Sequence, residues 1–154
     1  MITIADTLLP EHILLDLDAP TGPEALESLL ANLRDDERVL DWDKFSKEVR
    51  KHPQCRVADD ADFGISVPHA RTDAVNAMVM SAARLKTPLT FRGCPKPIRY
   101  IFCLGVPKTI AAEYLRIAGA LMRLLSDPEM EAALRETTSR EAFIAALTKL
   151  EAKL

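Results

Sequence analysis

The chain has 154 residues, of which 48% are apolar and 28% are charged, and its formal net charge is −3. This length is enough to bury the core of one domain. The slightly acidic charge argues against a nucleic-acid-binding protein, which normally carries a basic surface. No apolar run approaches the ~20 residues of a membrane span, and the first residues lack the pattern of a signal peptide.

The three cysteines, Cys55, Cys94 and Cys103, have no close-pair spacing. An odd number of widely spaced cysteines favours reduced thiols over a disulfide framework or a zinc site. We therefore expect a cytoplasmic protein without a metal or a cofactor, which neither binds nucleic acid nor inserts into a membrane.

Two helices are predicted in the first third of the chain. Thr21 can cap the first helix, and Pro23 suits its first turn. Four leucines then recur at helical spacing, at positions 26, 29, 30 and 33. The charged segment 34–38 is predicted to be a solvated turn. The second helix is predicted to begin after Asp41 and to end before Pro53.

Between Gly64 and Pro107 the apolar residues follow the period of β-strands. We predict strands at Ile65–Val67, at residues 78–83, in a short piece at 89–91, and at Tyr100–Val106. The last run is continuously apolar, which is typical of a strand covered by helices on both faces. Helical spacing returns in the final third, where capping boxes are predicted at Ser126 and Thr138. The sequence therefore predicts a single α/β domain over residues 1–154.

His69 is the residue whose side chain most clearly suggests a chemical function. It follows Pro68, which fixes its own backbone and biases Val67 towards extended geometry. Val67 should therefore end a strand and leave His69 near the strand edge in a rigid local frame. With Arg71 two residues on, His69 could accept a phosphoryl group whose charge the guanidinium balances. It could equally be an ordinary histidine at the end of a strand.

Other catalytic and binding patterns are absent from the sequence or weak. There is no glycine-rich phosphate loop and no Gly-x-Ser-x-Gly elbow. The acidic run 59–62 lacks the glycine and the terminal glutamate of a calcium loop, so a solvated loop is predicted. His12 and His52 are predicted to be surface residues. A hydrolase with His69 as general base would need a nucleophile and an orienting carboxylate, and neither stands at suitable spacing.

The segment GISVPHARTDAV, residues 64–75, resembles the signature of enzyme IIA domains of the fructose/mannitol class. These domains belong to the phosphoenolpyruvate-dependent sugar phosphotransferase system, and the class includes nitrogen-regulatory relatives. Further segments are similar to that family, namely 84–89, 104–107, 114–115 and 121–128. The order of elements agrees from about Leu14 to Leu147. The resemblance implies the mannitol-type fold, a central mixed β-sheet flanked by helices on both faces.

In that family the motif histidine carries a phosphoryl group on a ring nitrogen. It takes the group from a small phosphocarrier protein (HPr-like) and passes it to a transporter IIB domain, or holds it as a regulatory signal. His69 matches that histidine, so the resemblance implies a phosphohistidine intermediate here. Such chemistry needs mainly positioning and charge stabilisation. Arg71 is the nearest candidate for the latter, because its planar fork can contact two phosphoryl oxygens.

Three features depart from the family pattern. A Ser-Thr-Gly and glycine-rich segment is replaced by 57–63, whose three carboxylates would repel a phosphoryl dianion if they lay near it. The family's upstream arginine falls at about Pro53, so Arg56 could replace it only through a shifted loop. The family's second histidine falls on Tyr114. Its phenol can donate a hydrogen bond but is not cationic near neutral pH, and Tyr114 could equally be an aromatic at the edge of the core.

Two functions therefore remain open. The first is a phosphoryl carrier with His69 as the phosphorylated residue and with Arg71, Arg56 and Tyr114 in supporting positions. The second is a regulatory protein-binding module of the same fold that has lost efficient phosphotransfer. The first function requires an accessible His69 with an arginine directed towards it. Transfer would be implausible if both arginines pointed away and the 59–62 loop covered the imidazole.

Overall fold

A mixed β-sheet forms the centre of the computed structural model, which describes residues 1–51 and 55–152. Its six strands are β1 (Ile13–Leu17), β2 (Cys55–Arg56), β3 (Gly64–Ser66), β4 (His69–Arg71), β5 (Val79–Leu89) and β6 (Ile98–Val106). The α-helices of the described residues are α1 (Ile4–Thr7), α2 (Gly22–Asn32), α3 (Trp42–Arg50), α4 (Ala112–Met122), α5 (Pro128–Arg135) and α6 (Arg140–Ala152). Two 3₁₀ helices span Pro10–His12 and Arg123–Leu125.

Strand β6 lies at the centre of the sheet. The strand order is β1-β5-β6-β3-β2, and β4 also pairs with β6. The β5–β6 and β2–β3 pairs are antiparallel, whereas β1 runs parallel to β5, and β3 and β4 run parallel to β6. The sheet is therefore mixed, as the resemblance implied.

Helices cover both faces of the sheet, which confirms the prediction from the continuously apolar run. Tyr100, Phe102, Leu104 and Val106 of β6 belong to the core that α1, α4, α5 and α6 complete. Ile101 and Cys103, which alternate with them, belong to the core under α2 and α3. Gly105 lets α3 approach β6, since an added Cβ would lie 2.8 Å from the ring of Phe45. No helix of the described residues is both long and apolar enough to cross a membrane.

The segment around Pro68 differs slightly from the prediction. Strand β3 ends at Ser66, one residue before the predicted end, and the chain does not leave the sheet after Pro68. Instead the carbonyl oxygen of Pro68 accepts a hydrogen bond from the backbone N–H of Leu104 (3.0 Å), and β4 begins at His69. Proline has no N–H to donate, which interrupts the strand here. The carbonyl and the following residues keep the chain alongside β6.

Other boundaries also differ from the prediction. Of the piece predicted at 89–91, only Leu89 belongs to a strand, as the last residue of β5. Pro88 falls where the β5–β6 register is interrupted, a place that tolerates a missing N–H. Helix α5 is capped by the Asp127 side chain, which accepts from the N–H of Met130 (3.1 Å). Ser139 accepts from the N–H of Ala142 (3.1 Å) at the start of α6. Both caps lie one residue after the predicted ones.

The prediction for His12 was wrong, whereas segment 34–38 forms the predicted turn with only Asp36 and Arg38 partly buried. His12 is 6% exposed, and its Nδ1 and Nε2 lie 2.8 Å from Asn32 Oδ1 and 2.7 Å from Asp36 Oδ2. Arg38 holds the same carboxylate with Nε and Nη2, each at 2.9 Å, and Nη1 donates to the carbonyl oxygens of Thr7 and Met78, each at 3.1 Å. Through these two side chains, Asp36 connects the α2–α3 segment with α1, with the first 3₁₀ helix and with the residue before β5. His52 lies outside the described residues.

We expect the contacts of Asp36 with His12 and Arg38 to make the free energy of unfolding fall at acid pH. The hydrogen bonds from Arg38 hold the pKa of Asp36 well below its usual range, and His12 adds to this effect. A carboxylate whose pKa is depressed by folding stabilises the chain above its unfolded pKa, about 4, and loses that contribution as the pH falls further. Asp36→Asn should lower the free energy of unfolding by about 3 kcal/mol at pH 7, the scale of removing one partner of a buried ion pair.

Urea unfolding at pH 7 and pH 3 tests this expectation, with the exposed neighbour Asp35→Asn as the matched control. The deficit of Asp36→Asn relative to the unsubstituted chain should shrink at pH 3, and Asp35→Asn should change little at either pH. A deficit that is equal at both pH values would contradict the account.

Candidate functional site

His69 lies at the start of β4, opposite Leu104 of β6, and it is half-buried. Successive side chains of a strand point to opposite faces of the sheet. Ala70 belongs to the core under α2 and α3. His69 and Arg71 therefore both lie on the face that α4 covers. The short strand fixes the backbone of the candidate site against the most buried strand of the sheet.

One contact fixes the orientation of the imidazole ring. The Nδ1 atom of His69 lies 2.9 Å from the carbonyl oxygen of Val67. A carbonyl oxygen can only accept, so Nδ1 carries the proton and donates it. In the neutral ring the lone pair must then be on Nε2. The Val67 carbonyl was not among the residues singled out in the sequence, although it follows from the rigid Val67–Pro68 unit that precedes the histidine.

Tyr114 of α4 lies against the imidazole ring. Its hydroxyl oxygen is 3.2 Å from His69 Nε2 and 3.4 Å from Nδ1, and the two ring centroids are 4.9 Å apart. An oxygen almost equidistant from the two ring nitrogens lies over the face of the ring, so the phenol does not cover the in-plane lone pair of Nε2. Burial raises the pKa of Tyr114, and the positive charge of Arg56 partly offsets this rise. The phenol therefore stays protonated near neutral pH and remains a hydrogen-bond donor.

Arg56 lies in β2, at the same face of the sheet as His69. It is paired with Ile65 in the antiparallel β2–β3 ladder, and Ile65 belongs to the core that α4 covers. Its charge acts on the phenol of Tyr114, so a cation stands near the candidate site. The position of the family's upstream arginine, at about Pro53, lies outside the described residues.

Arg71 is exposed and is held by the segment that leads into α4. Its Nη2 atom donates to the carbonyl oxygen of Lys108 at 2.8 Å. Within the described ranges 1–51 and 55–152, no hydrogen bond joins Arg71 to His69. Its guanidinium is thus engaged with the backbone just before α4 through one of its five N–H groups. The structure brings Tyr114 to His69 directly, and it brings the two arginines to the same face.

Basic residues contact the acidic segment 57–63. The ammonium group of Lys96 donates to the backbone carbonyls of Ala58, Asp59 and Ala61. The Asp62 side chain is 90% exposed, and its carboxylate lies 3.7 Å from Nη2 of Arg99. In the described part of the chain, no hydrogen bond or ion pair joins these carboxylates to His69 or Tyr114. The loop is therefore solvated, as predicted, and it does not supply the contacts that hold the ring.

Two apolar side chains next to these residues are exposed. Leu115, which follows Tyr114 in α4, is 67% exposed, and Val57, which follows Arg56, is 38% exposed. Single exposed apolar side chains are normal on protein surfaces, so a contact role for these two is a matter for proposal. Helical and loop periodicity alone does not show which apolar side chain is left uncovered.

The arrangement combines three chemical features. It has an imidazole that the Val67 carbonyl orients, with the Nε2 lone pair free, a phenol donor over the ring, and guanidinium groups on the same face. Among the described residues, no group of three or more histidine, cysteine or acidic side chains could hold a metal ion. An imidazole nitrogen of this kind can act as a nucleophile, and the donors and cations can balance the charge of an anionic group that it receives.

Comparison with known proteins settles the family. Residues 7–150 match the family described as "Phosphoenolpyruvate-dependent sugar phosphotransferase system, EIIA 2". The chain belongs to this enzyme IIA family. The fructose-specific EIIA component of Haloferax volcanii is 30% identical over 142 residues, which cover 91% of this chain and 92% of the relative.

The chain is also similar to a nitrogen regulatory protein and to a solved enzyme IIA structure. The nitrogen regulatory protein of Bradyrhizobium diazoefficiens is 25% identical over 145 residues, or 94% of each chain. Enzyme IIAMTL of Escherichia coli, solved in complex with phosphorylated enzyme IIBMTL, matches with a TM-score of 0.71. That match covers 90% of this chain and 95% of the other at 18% identity, so it shows a common fold.

The ring orientation predicts a specific tautomer in solution. We expect the neutral His69 of the free protein to carry its proton on Nδ1, because the Val67 carbonyl oxygen lies 2.9 Å from that atom. Long-range ¹H–¹⁵N correlation spectra of ¹⁵N-histidine-labelled protein above pH 8 distinguish the two ring nitrogens. His69→Gln identifies the signals to be assigned. A proton on Nε2 of His69 would show that the Val67 contact does not orient the ring.

Proposed function

We propose that this protein is a phosphoryl carrier that accepts a phosphoryl group on Nε2 of His69. The observation that carries this proposal is the pairing of Nδ1 with the Val67 carbonyl at 2.9 Å, which leaves Nε2 as the free nucleophile. In keeping with its family, we propose an HPr-like phosphocarrier protein as donor. The acceptor is a transporter IIB domain, or the phosphorylated state is itself a regulatory signal.

The proposed transfer forms one bond to phosphorus and breaks another. Nε2 attacks phosphorus in line, a new P–N bond forms, and the bond from phosphorus to the donor protein breaks with its electron pair. The proton on Nδ1 remains in place, so the phosphorylated ring gains positive charge. The Val67 carbonyl then accepts a hydrogen bond from a charged donor, which is stronger than the neutral bond before transfer. The same contact that orients the ring thus stabilises its product.

Tyr114 and the two arginines support the transferred group in this scheme. The phenol lies over the ring face and leaves the in-plane path to Nε2 open. After transfer it can donate a hydrogen bond to a phosphoryl oxygen. Arg56 and Arg71 lie on the same face and supply positive charge to the dianion. Lys96 binds backbone carbonyls of the acidic segment and Arg99 lies beside Asp62, so positive charge also stands at that segment.

The partner surface is proposed to include the exposed side chains beside the site. Enzyme IIAMTL forms a complex with phosphorylated enzyme IIBMTL, and this chain shares its fold. Leu115 and Val57 provide apolar contact area next to Tyr114 and Arg56. A transient complex needs only a modest interface. We place the exchange in the cytoplasm, the compartment that the three free cysteines favour.

A second candidate function rests on Tyr114. The phenol stands where the resemblance places the family's second histidine, and it supplies no positive charge near neutral pH. A relative of similar length is a nitrogen regulatory protein. In this alternative the protein keeps the fold and His69 but acts by binding a protein target, with little or no transfer.

Phosphorylation in vitro separates the two functions. The protein is incubated with phosphoenolpyruvate, enzyme I and HPr, and enzyme IIAMTL serves as the positive control. We expect an acid-labile phosphoryl group in the protein, and we expect its loss in His69→Gln, which retains the two other histidines. No label under conditions that fully label enzyme IIAMTL would contradict the carrier proposal and favour the regulatory one.

Substitution of Tyr114 tests its contact with the phosphoryl group. Tyr114→Phe should shift the transfer equilibrium towards phosphorylated HPr by about fivefold, because one hydrogen bond to a phosphoryl oxygen, worth about 1 kcal/mol, is lost. Tyr114→His keeps a donor and should restore the equilibrium. Quantifying both phosphoproteins after mixing measures the ratio. Equal ratios for the phenylalanine and histidine variants would show that the phenol serves only as packing.

A further inference from the structure

A cavity of about 750 Å³ lies on the sheet face opposite His69. Its floor is formed by Ser66, Pro68 and Ile101. One wall is the first turns of α2, from Thr21 to Glu27, and the other is the end of β5 with the turn that follows it, from Leu89 to Arg92. We call it the α2 cavity. Its volume falls in the range of roughly 300–1,000 Å³ that is usual for small-molecule sites.

A close contact between glycine and an aromatic ring shapes the cavity. A Cβ atom added to Gly22 would lie 2.8 Å from Cε1 of Phe91. The absence of a side chain at Gly22 therefore allows the Phe91 ring to lie directly against the start of α2. Phe91 and Leu89 are only half-buried, whereas Leu26 and Ile101 are buried. The cavity thus has an aromatic wall and apolar depth, and it opens at the side of the β5–β6 turn.

The side chains at the mouth of the α2 cavity carry one positive charge in excess. Arg50 and Glu27 neutralise each other, with Nε and Nη2 at 2.7 and 2.8 Å from the two carboxylate oxygens. Arg92 is exposed, and within residues 1–51 and 55–152 it has no hydrogen bond or ion pair. One uncompensated guanidinium therefore stands beside an apolar, aromatic-walled space. This combination complements a molecule with a flat apolar body and one anionic group.

We propose that the α2 cavity binds a small organic anion, with an aromatic body against Phe91 and Leu26 and a carboxylate or sulfonate group at Arg92. This inference does not depend on phosphotransfer, since no residue of the cavity belongs to the proposed phosphoryl site. The two sites are nevertheless joined through the chain. Pro68 forms part of the cavity floor, its carbonyl pairs with Leu104, and the next residue is His69. A ligand in the cavity should therefore be detected at the His69 amide.

The probe for this test is 8-anilinonaphthalene-1-sulfonate, and N-phenyl-1-naphthylamine is its analogue without the sulfonate. Fluorescence titration of the folded protein should show one saturable site for the sulfonate. Arg92→Gln should weaken its binding about fivefold to tenfold, the scale of one partly desolvated charge-assisted contact, and should leave the uncharged analogue unaffected. Arg140→Gln removes an exposed arginine at the start of α6 and should change neither probe. Phe91→Ala should weaken both.

Backbone amide NMR shifts locate the bound probe independently of phosphorylation. Addition of the sulfonate should perturb Gly22, Ser66, Phe91 and then His69, with Leu115 unaffected. The proposal is overturned if the perturbations centre on Leu115 and Tyr114, if Arg92→Gln and Arg140→Gln behave alike, or if no saturable binding occurs. Circular dichroism of each variant confirms that the fold is retained. Failure of the phosphorylation experiment above would leave these outcomes unchanged.

Discussion

The hydrogen bond from His69 Nδ1 to the Val67 carbonyl is the interaction on which the functional account depends. It exists because Pro68 interrupts the strand between the two residues, while the pairing of Pro68 and His69 with Leu104 keeps the chain against β6. The carbonyl is therefore fixed by the sheet, and the ring is fixed by the carbonyl. This geometry decides which nitrogen is protonated, which is nucleophilic, and where positive charge is stabilised after transfer.

The groups around the His69 ring differ in charge from the pattern of the family. A neutral phenol occupies the position of the family's second histidine, and an acidic segment replaces a glycine-rich one. Tyr114 keeps its proton because burial raises the pKa of the phenol, so it remains a hydrogen-bond donor. Lys96 binds backbone carbonyls of the acidic segment, and Arg99 lies 3.7 Å from the Asp62 carboxylate. In the carrier that we propose, the positive charge for a phosphoryl dianion comes from Arg56 and Arg71.

Much of this organisation was readable from the sequence, because it follows from local rules. The caps of α2 and α3, the buried strand β6 and the motif around His69 depend on residues within one turn or one strand. The burial of His12 depends on Asn32 and Asp36, which are 20 and 24 positions away, and no local pattern encodes such a meeting. The position of Arg56 on the His69 face likewise follows from strand pairing. The α2 cavity requires residues from five separate parts of the chain to come together.

The most direct test of the account is the site of phosphate attachment on the imidazole. Phosphorylated, ¹⁵N-histidine-labelled protein is examined for coupling between ³¹P and each ring nitrogen of His69. If the Val67 carbonyl holds the proton on Nδ1, the phosphorus must couple to Nε2, and Nδ1 must retain a hydrogen that exchanges slowly. Coupling of the phosphorus to Nδ1 would contradict the account, because phosphate would then occupy the position of the Val67 contact.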